Sequence, residues 1–121
     1  MIVYVWGNLT TDNFTSRPGK DTLGRAGQKP GLSAFDAPPD GRKAQGLDLN
    51  LLTPPLKAFP DDTDRGGTKG HVAIAPVDYA GEVDATALDD WASYRGTGQT
   101  HPFTRALLDK AVVRPNFWSE K

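Results

Sequence analysis

The sequence predicts a single α+β domain, with a small mixed or antiparallel β core and short helices, two of them near the C-terminal end. Three observations carry that prediction. Ile2-Val3-Tyr4-Val5-Trp6 is β-branched or aromatic throughout, the composition of a buried strand. His71-Val72-Ala73-Ile74-Ala75-Pro76 is a second interior strand, with Val72 and Ile74 on one face and His71, Ala73 and Ala75 on the other. Beyond Asp84 the apolar residues recur at helical spacing in two consecutive stretches. A chain of 121 residues supports one core and not two. Its 13 Gly and 10 Pro imply short elements joined by many loops, below the level that marks disorder.

The elements follow in order. Gly7-Asn8 ends the first strand, and residues 9–15 suit a helical turn capped by Thr10 or Thr11, with Phe14 inward. Residues 16–31 hold Pro18, Gly19, Gly24, Gly27, Pro30 and Gly31, the signature of a long loop. Leu32-Ser33-Ala34-Phe35 reads as a short strand, Pro38-Pro39-Asp40-Gly41 as a turn, and Lys43 to Leu49 as a further strand. Pro54-Pro55 and Phe59-Pro60 bracket a loop or short helix. Asp84 or Thr86 starts a helix with Leu88, Trp91 and Ala92 on one face, and Gly96 ends it. A second helix begins near Thr100 or His101 with Pro102 in its first turn. Phe103, Ala106, Leu107 and Ala111 form its apolar face, and Pro115 stops it. The tail, residues 115–121, is expected to be loose, exposing Phe117 and Trp118.

Composition removes several function classes. There is no cysteine, which excludes disulfides, thiolate zinc sites and cysteine nucleophiles. With two histidines, a catalytic zinc would have to borrow carboxylates, and no metal is expected. Met1 to Trp6 is too short an apolar run, without a basic flank, to read as a signal peptide, and no stretch is long enough to span a membrane. Fourteen basic against 15 acidic residues give a net charge of −1, which disfavours non-specific nucleic-acid binding. A local basic patch from Lys20, Arg25, Lys29, Arg42 and Lys43 remains compatible with that balance. Asp61, Asp62 and Asp64 lack the spacing and closing glutamate of an EF-hand. Gly66-Gly67-Thr68-Lys69-Gly70-His71 precedes a strand instead of opening a helix, so it reads as a turn that delivers His71.

Several residues carry candidate chemistry. Arg95-Gly96-Thr97-Gly98-Gln99-Thr100-His101-Pro102 joins the two helices with more polar groups than a helix stop needs, beside a helix N-terminus that favours anions. A phosphate or other polar ligand is the expectation there, with an ordinary glycine stop and Thr/Pro start as the alternative. Ser33 follows a glycine-rich loop, where it can hydrogen-bond a ligand or act as a nucleophile if a histidine base lies near. His71 and His101, with Lys69 and Arg105, also meet the inventory of a metal-independent ribonuclease, which needs an acid–base pair and cations. A third possibility is a binding module or immunity-type partner docking through Phe117 and Trp118.

The order of motifs resembles a known family. The first strand leads to Asn13-Phe14-Thr15-Ser16-Arg17-Pro18-Gly19-Lys20-Asp21-Thr22, then Gly31-Leu32-Ser33-Ala34-Phe35 and Lys43-Ala44-Gln45. Gly70-His71-Val72-Ala73-Ile74-Ala75-Pro76, Trp91-Ala92-Ser93-Tyr94-Arg95-Gly96-Thr97 and His101-Pro102 follow. Over nearly its whole length this pattern resembles the C-terminal toxin domains of Rhs-type polymorphic toxins, in a branch of ADP-ribosyltransferases. The resemblance implies an ADP-ribosyltransferase-like core and an antibacterial effector that moves ADP-ribose from NAD, its substrate, onto a macromolecular acceptor. That acceptor is often in the translation machinery, a translation factor or RNA. It further implies a cognate immunity protein, a monomer when alone, no membrane partner, and a secreted module delivered from a larger carrier into the cytoplasm of a target bacterium.

On this resemblance Ser33 matches the serine that opens the second strand of one transferase class, and Phe35 packs beneath the nicotinamide. Arg17 or Arg95 holds the diphosphate, and the Gly7-Asn8 backbone binds the nicotinamide amide. The chain also departs from the family. Tyr4 to Trp6 stand where an arginine or histidine is expected, and no Glu-x-Glu or Gln-x-Glu occurs; Glu82 and Glu120 are the only glutamates. The missing roles then fall to a non-standard acid such as an aspartate, or to His71, Gln99 or His101.

Overall fold

The computed structural model describes residues 2–20, 22, 30–37, 44–60 and 70–114. Arg25, Lys29, Arg42, Lys43, the Asp61–Asp64 run, Lys69 and the tail with Phe117 and Trp118 lie outside these residues.

The strands β1 (Ile2–Trp6), β2 (Leu32–Phe35), β3 (Ala44–Asp48), β4 (Leu56–Pro60), β5 (His71–Pro76) and β6 (Val112–Arg114) form one sheet in the order β4-β5-β2-β1-β3-β6. Every neighbouring pair is antiparallel. The mixed-or-antiparallel expectation thus resolves to antiparallel, with the three-residue β6 at one edge.

Two elements differ from the sequence reading. The segment between Pro54-Pro55 and Pro60 is neither loop nor helix: it is β4, paired along its length with β5 from Leu56↔Pro76 to Pro60↔Val72. Its proline lies at the end of an edge strand, where the missing N–H costs the ladder nothing. The second helix is also shorter than its apolar spacing suggests. After α1 (Ala85–Ala92), α2 runs only from Pro102 to Ala106, passes through a π-helical turn at Leu107–Ala111 and becomes β6. Chain that could extend the helix instead adds backbone hydrogen bonds to the exposed edge of β3.

Register divides the sheet into two unlike faces. Val3, Val5, Leu32, Ala34, Leu47, Leu56, Val72 and Ile74 point to one side, where they pack with Phe14, Leu88, Trp91 and Leu107 into the core. The helices cover this side. Asp84 caps α1 through a bond from the Ala87 N–H (3.0 Å), and His101 caps α2. Phe14 enters from a single 3-10 turn, Asp12–Phe14, where the Thr10 hydroxyl accepts from Asn13 N–H.

Thr104 ties this layer together. Its Oγ1 accepts from the Trp91 indole N–H (2.8 Å), donates to the Phe14 carbonyl (2.9 Å) and lies 2.9 Å from Thr15 Oγ1. All these groups are buried, so each bond spares a polar atom the cost of lying unpaired in the core. On the strand side, Gly31 has φ +141°, and a Cβ there would lie 2.7 Å from the Ile74 carbonyl oxygen. Only glycine lets the chain enter β2 so close to β5.

Candidate functional site

The second sheet face carries the candidate site. The pairs Tyr4↔Phe35, Phe35↔His71, Ser33↔Ala73 and Phe59↔Ala73 place these side chains together on the side away from the helices. An antiparallel sheet commonly turns one face to water and makes it polar. Here that face is aromatic. Trp6 stacks on Phe35 with centroids 4.6 Å apart, and Phe35 meets the His71 ring edge-on at 5.2 Å. Trp6 remains 39% exposed, so the stack opens to solvent.

Ser33 and His71 meet on this face: His71 Nε2 lies 2.9 Å from Ser33 Oγ. Their positions are diagonal across the β2–β5 pair, since Phe35 is the direct partner of His71. The imidazole is buried and Ser33 half-buried, which sets a fixed base beside the hydroxyl. A serine and a histidine at this distance are the geometry of an activated nucleophile, or of a serine oriented to bind a ligand.

One end of the face is braced from below. Gly7, at φ +101°, follows Trp6, and its carbonyl accepts from the buried Gln45 amide at 3.0 Å. The Asn8 carbonyl accepts from the Asn13 side chain (2.9 Å) and from the Thr10 N–H (2.9 Å). Arg17 lies exposed in the following loop, directly after Ser16, whose buried Oγ has no hydrogen-bond partner among the described residues.

The helix joint has the ordinary glycine stop and proline start that its sequence also allowed: Gly96 has φ +79° and Pro102 opens α2 behind the His101 cap. Arg95 Nη1 donates to the carbonyls of Asp12 (3.0 Å) and Thr15 (3.2 Å), and the Gly96 N–H donates to the Asp12 carboxylate (3.0 Å). These contacts clamp the 3-10 turn to the end of α1. Gln99 is exposed, with its N–H on Thr97 Oγ1.

His101 uses both ring nitrogens within the helical layer. Nδ1 accepts from the Phe103 N–H (3.0 Å), which assigns the proton to Nε2, and Nε2 lies 3.0 Å from Asp90 Oδ2. Tyr94 and Phe103 flank the ring. Phe103 packs against the core, so His101 and His71 lie on opposite sides of the sheet. Arg105 is exposed on α2, 3.9 Å from Asp109. The structure therefore brings Ser33, Phe35 and His71 together, with Gly7 and Asn8 next to Trp6, and leaves Gln99, Arg95 and His101 in the helical layer.

Sequence reasoning did not assign Trp6, Gln45 or Thr104. The signal for Trp6 was available: alternation along β1 puts Tyr4 and Trp6 on one face, as it does Ser33 and Phe35 on β2. Gln45 and Thr104 act through backbone carbonyls distant in sequence, which no local pattern encodes.

Among the described residues, no group of three or more His, Asp or Glu side chains is placed to hold a metal, and no helix is long and apolar enough to cross a membrane. No protein-family model, curated protein or solved structure matches this chain, and the function of the aromatic face is read from its own chemistry.

Proposed function

We propose that this chain is an antibacterial toxin domain that transfers ADP-ribose from NAD to a macromolecule, such as a translation factor or RNA, and is held in check by an immunity protein. The observation that carries the reading is Ser33 in the second strand, against His71 and beside the Trp6–Phe35 stack. An open aromatic wall with one hydroxyl and one imidazole suits a flat heteroaromatic ring attached to a polar sugar. Nicotinamide and its ribose are such a pair.

In this reading Trp6 and Phe35 hold the nicotinamide ring, while Ser33 and His71 address the adjoining ribose. The Gly7–Asn8 turn lies next to Trp6, where its backbone can orient the amide. Arg17, exposed in the loop after the 3-10 turn, serves the diphosphate. Arg95 is left out, because its Nη1 is spent on Asp12 and Thr15. The experiment is incubation of the purified chain with NAD and a bacterial lysate. A mass gain of one ADP-ribose on a protein or RNA, reduced in Phe35→Ala at low NAD, supports the reading. RNA cleavage without NAD supports a ribonuclease instead.

The 2.9 Å Ser33–His71 contact also favours a second reading, a serine hydrolase acting by acyl transfer. Covalent labelling of Ser33 by a fluorophosphonate probe, with no consumption of NAD, would select it.

A further inference from the structure

We infer that Ser33 is a covalent nucleophile toward the nicotinamide ribose, with His71 as its base, so that transfer proceeds through an ADP-ribosyl-Ser33 intermediate. This rests on the NAD reading above and specifies its chemistry.

The argument begins with what the face offers. Ser33 Oγ is 2.9 Å from His71 Nε2, within reach for direct proton transfer. In the tautomer with the proton on Nδ1, Nε2 accepts the hydroxyl proton. The strand position opposite Ser33 is the uncharged Ala73. Ala73 offers no charge to a free oxocarbenium ion, and a nucleophile positioned on its base is the other route to C1′.

The leaving group makes a single base sufficient, with no general acid. Nicotinamide departs from a pyridinium nitrogen as a neutral molecule, so it requires no general acid. In the first step Ser33 Oγ bonds to C1′, the C1′–N bond breaks with its electron pair going to nicotinamide, and the hydroxyl proton passes to His71. The positive charge of the pyridinium is thereby exchanged for that of the imidazolium. In the second step an acceptor hydroxyl bonds to C1′ and loses its proton to water. The C1′–Oγ bond breaks, and His71 returns a proton to Ser33. Two displacements restore the original configuration at C1′, whereas one direct displacement inverts it.

The half-buried Ser33 allows a substrate to reach Oγ, and the edge-on Phe35 ring holds the imidazole in place. The phenyl ring thus both lines the ligand wall and orients the base.

The test is rapid acid quench of the purified chain with NAD alone, followed by peptide mass spectrometry. The expected result is one ADP-ribose on Ser33, formed at the rate of nicotinamide release and lost when an acceptor is added. Ser33→Ala should abolish the adduct and lower release at least a hundredfold. Ser33→Cys should restore a measurable adduct, and His71→Gln should slow its formation at least a hundredfold. Thermal melting of each variant separates these effects from misfolding. Nicotinamide release with Ser33 unmodified, or retained in Ser33→Ala, overturns the nucleophile and leaves the transferase reading standing. NAD neither bound nor consumed overturns both.

Discussion

Phe35 meets His71 edge-on with ring centroids 5.2 Å apart, and on its other side stacks against Trp6 at 4.6 Å. One side chain therefore connects the aromatic wall of the sheet face to the imidazole that reaches Ser33. Replacing Phe35 with alanine should weaken NAD binding by about tenfold, from an aromatic contact of about 1 kcal/mol together with a less ordered His71. Titration of intrinsic fluorescence with NAD checks this. Equal affinity in the variant would place the nicotinamide elsewhere.

Arg95 belongs to the scaffold. Its bonds to the Asp12 and Thr15 carbonyls come from a charged donor and tie the 3-10 turn to α1. Arg95→Ala should lower unfolding free energy by about 2 kcal/mol while leaving NAD affinity unchanged. Arg95→Lys should recover only part of this, since an ammonium lacks the guanidinium's planar fork. Urea unfolding and NAD titration together decide; lost affinity with intact stability would return Arg95 to the diphosphate.

Thr104 offers a test of the buried network. Thr104→Val preserves shape but orphans the Trp91 N–H and the Phe14 carbonyl. The expected loss is about 3 kcal/mol, seen as a lower Tm. Thr104→Ser keeps the hydroxyl and should lose about 1 kcal/mol, the value of one buried methyl group.

Two glycines should respond to very different degrees. Gly31→Ala would put a methyl group against the Ile74 backbone and should prevent normal pairing of β2 with β5. At Gly96, with φ +79° and no atom of the described residues within 4 Å of an added Cβ, alanine should cost only about 1–2 kcal/mol of left-handed strain. Circular dichroism melts of both variants check the contrast.

Much of this architecture is legible in the sequence because it is local. The strand at Ile2–Trp6, the start of β5 at His71, Asp84 as a cap and Pro102 in the first turn all follow from residue type and near neighbours. β4 escapes because flanking prolines signal a break, while its pairing with β5 is a tertiary fact. β6 escapes for a similar reason, since the alternatives for residues 107–114 differ in which neighbour satisfies the backbone. Arg95 shows the limit of side-chain inventory: a guanidinium suits a phosphate and a pair of carbonyls alike, and only the fold selects. Ser33 and His71 were each legible as candidates, but their contact depends on strand register across 38 residues.

The most direct test is the rate of nicotinamide release from NAD by the purified chain, measured beside Ser33→Ala and Phe35→Ala. The account predicts release by the native chain, stimulated by a macromolecular acceptor and reduced at least a hundredfold in Ser33→Ala. No release from the native chain, with or without acceptor, would contradict it.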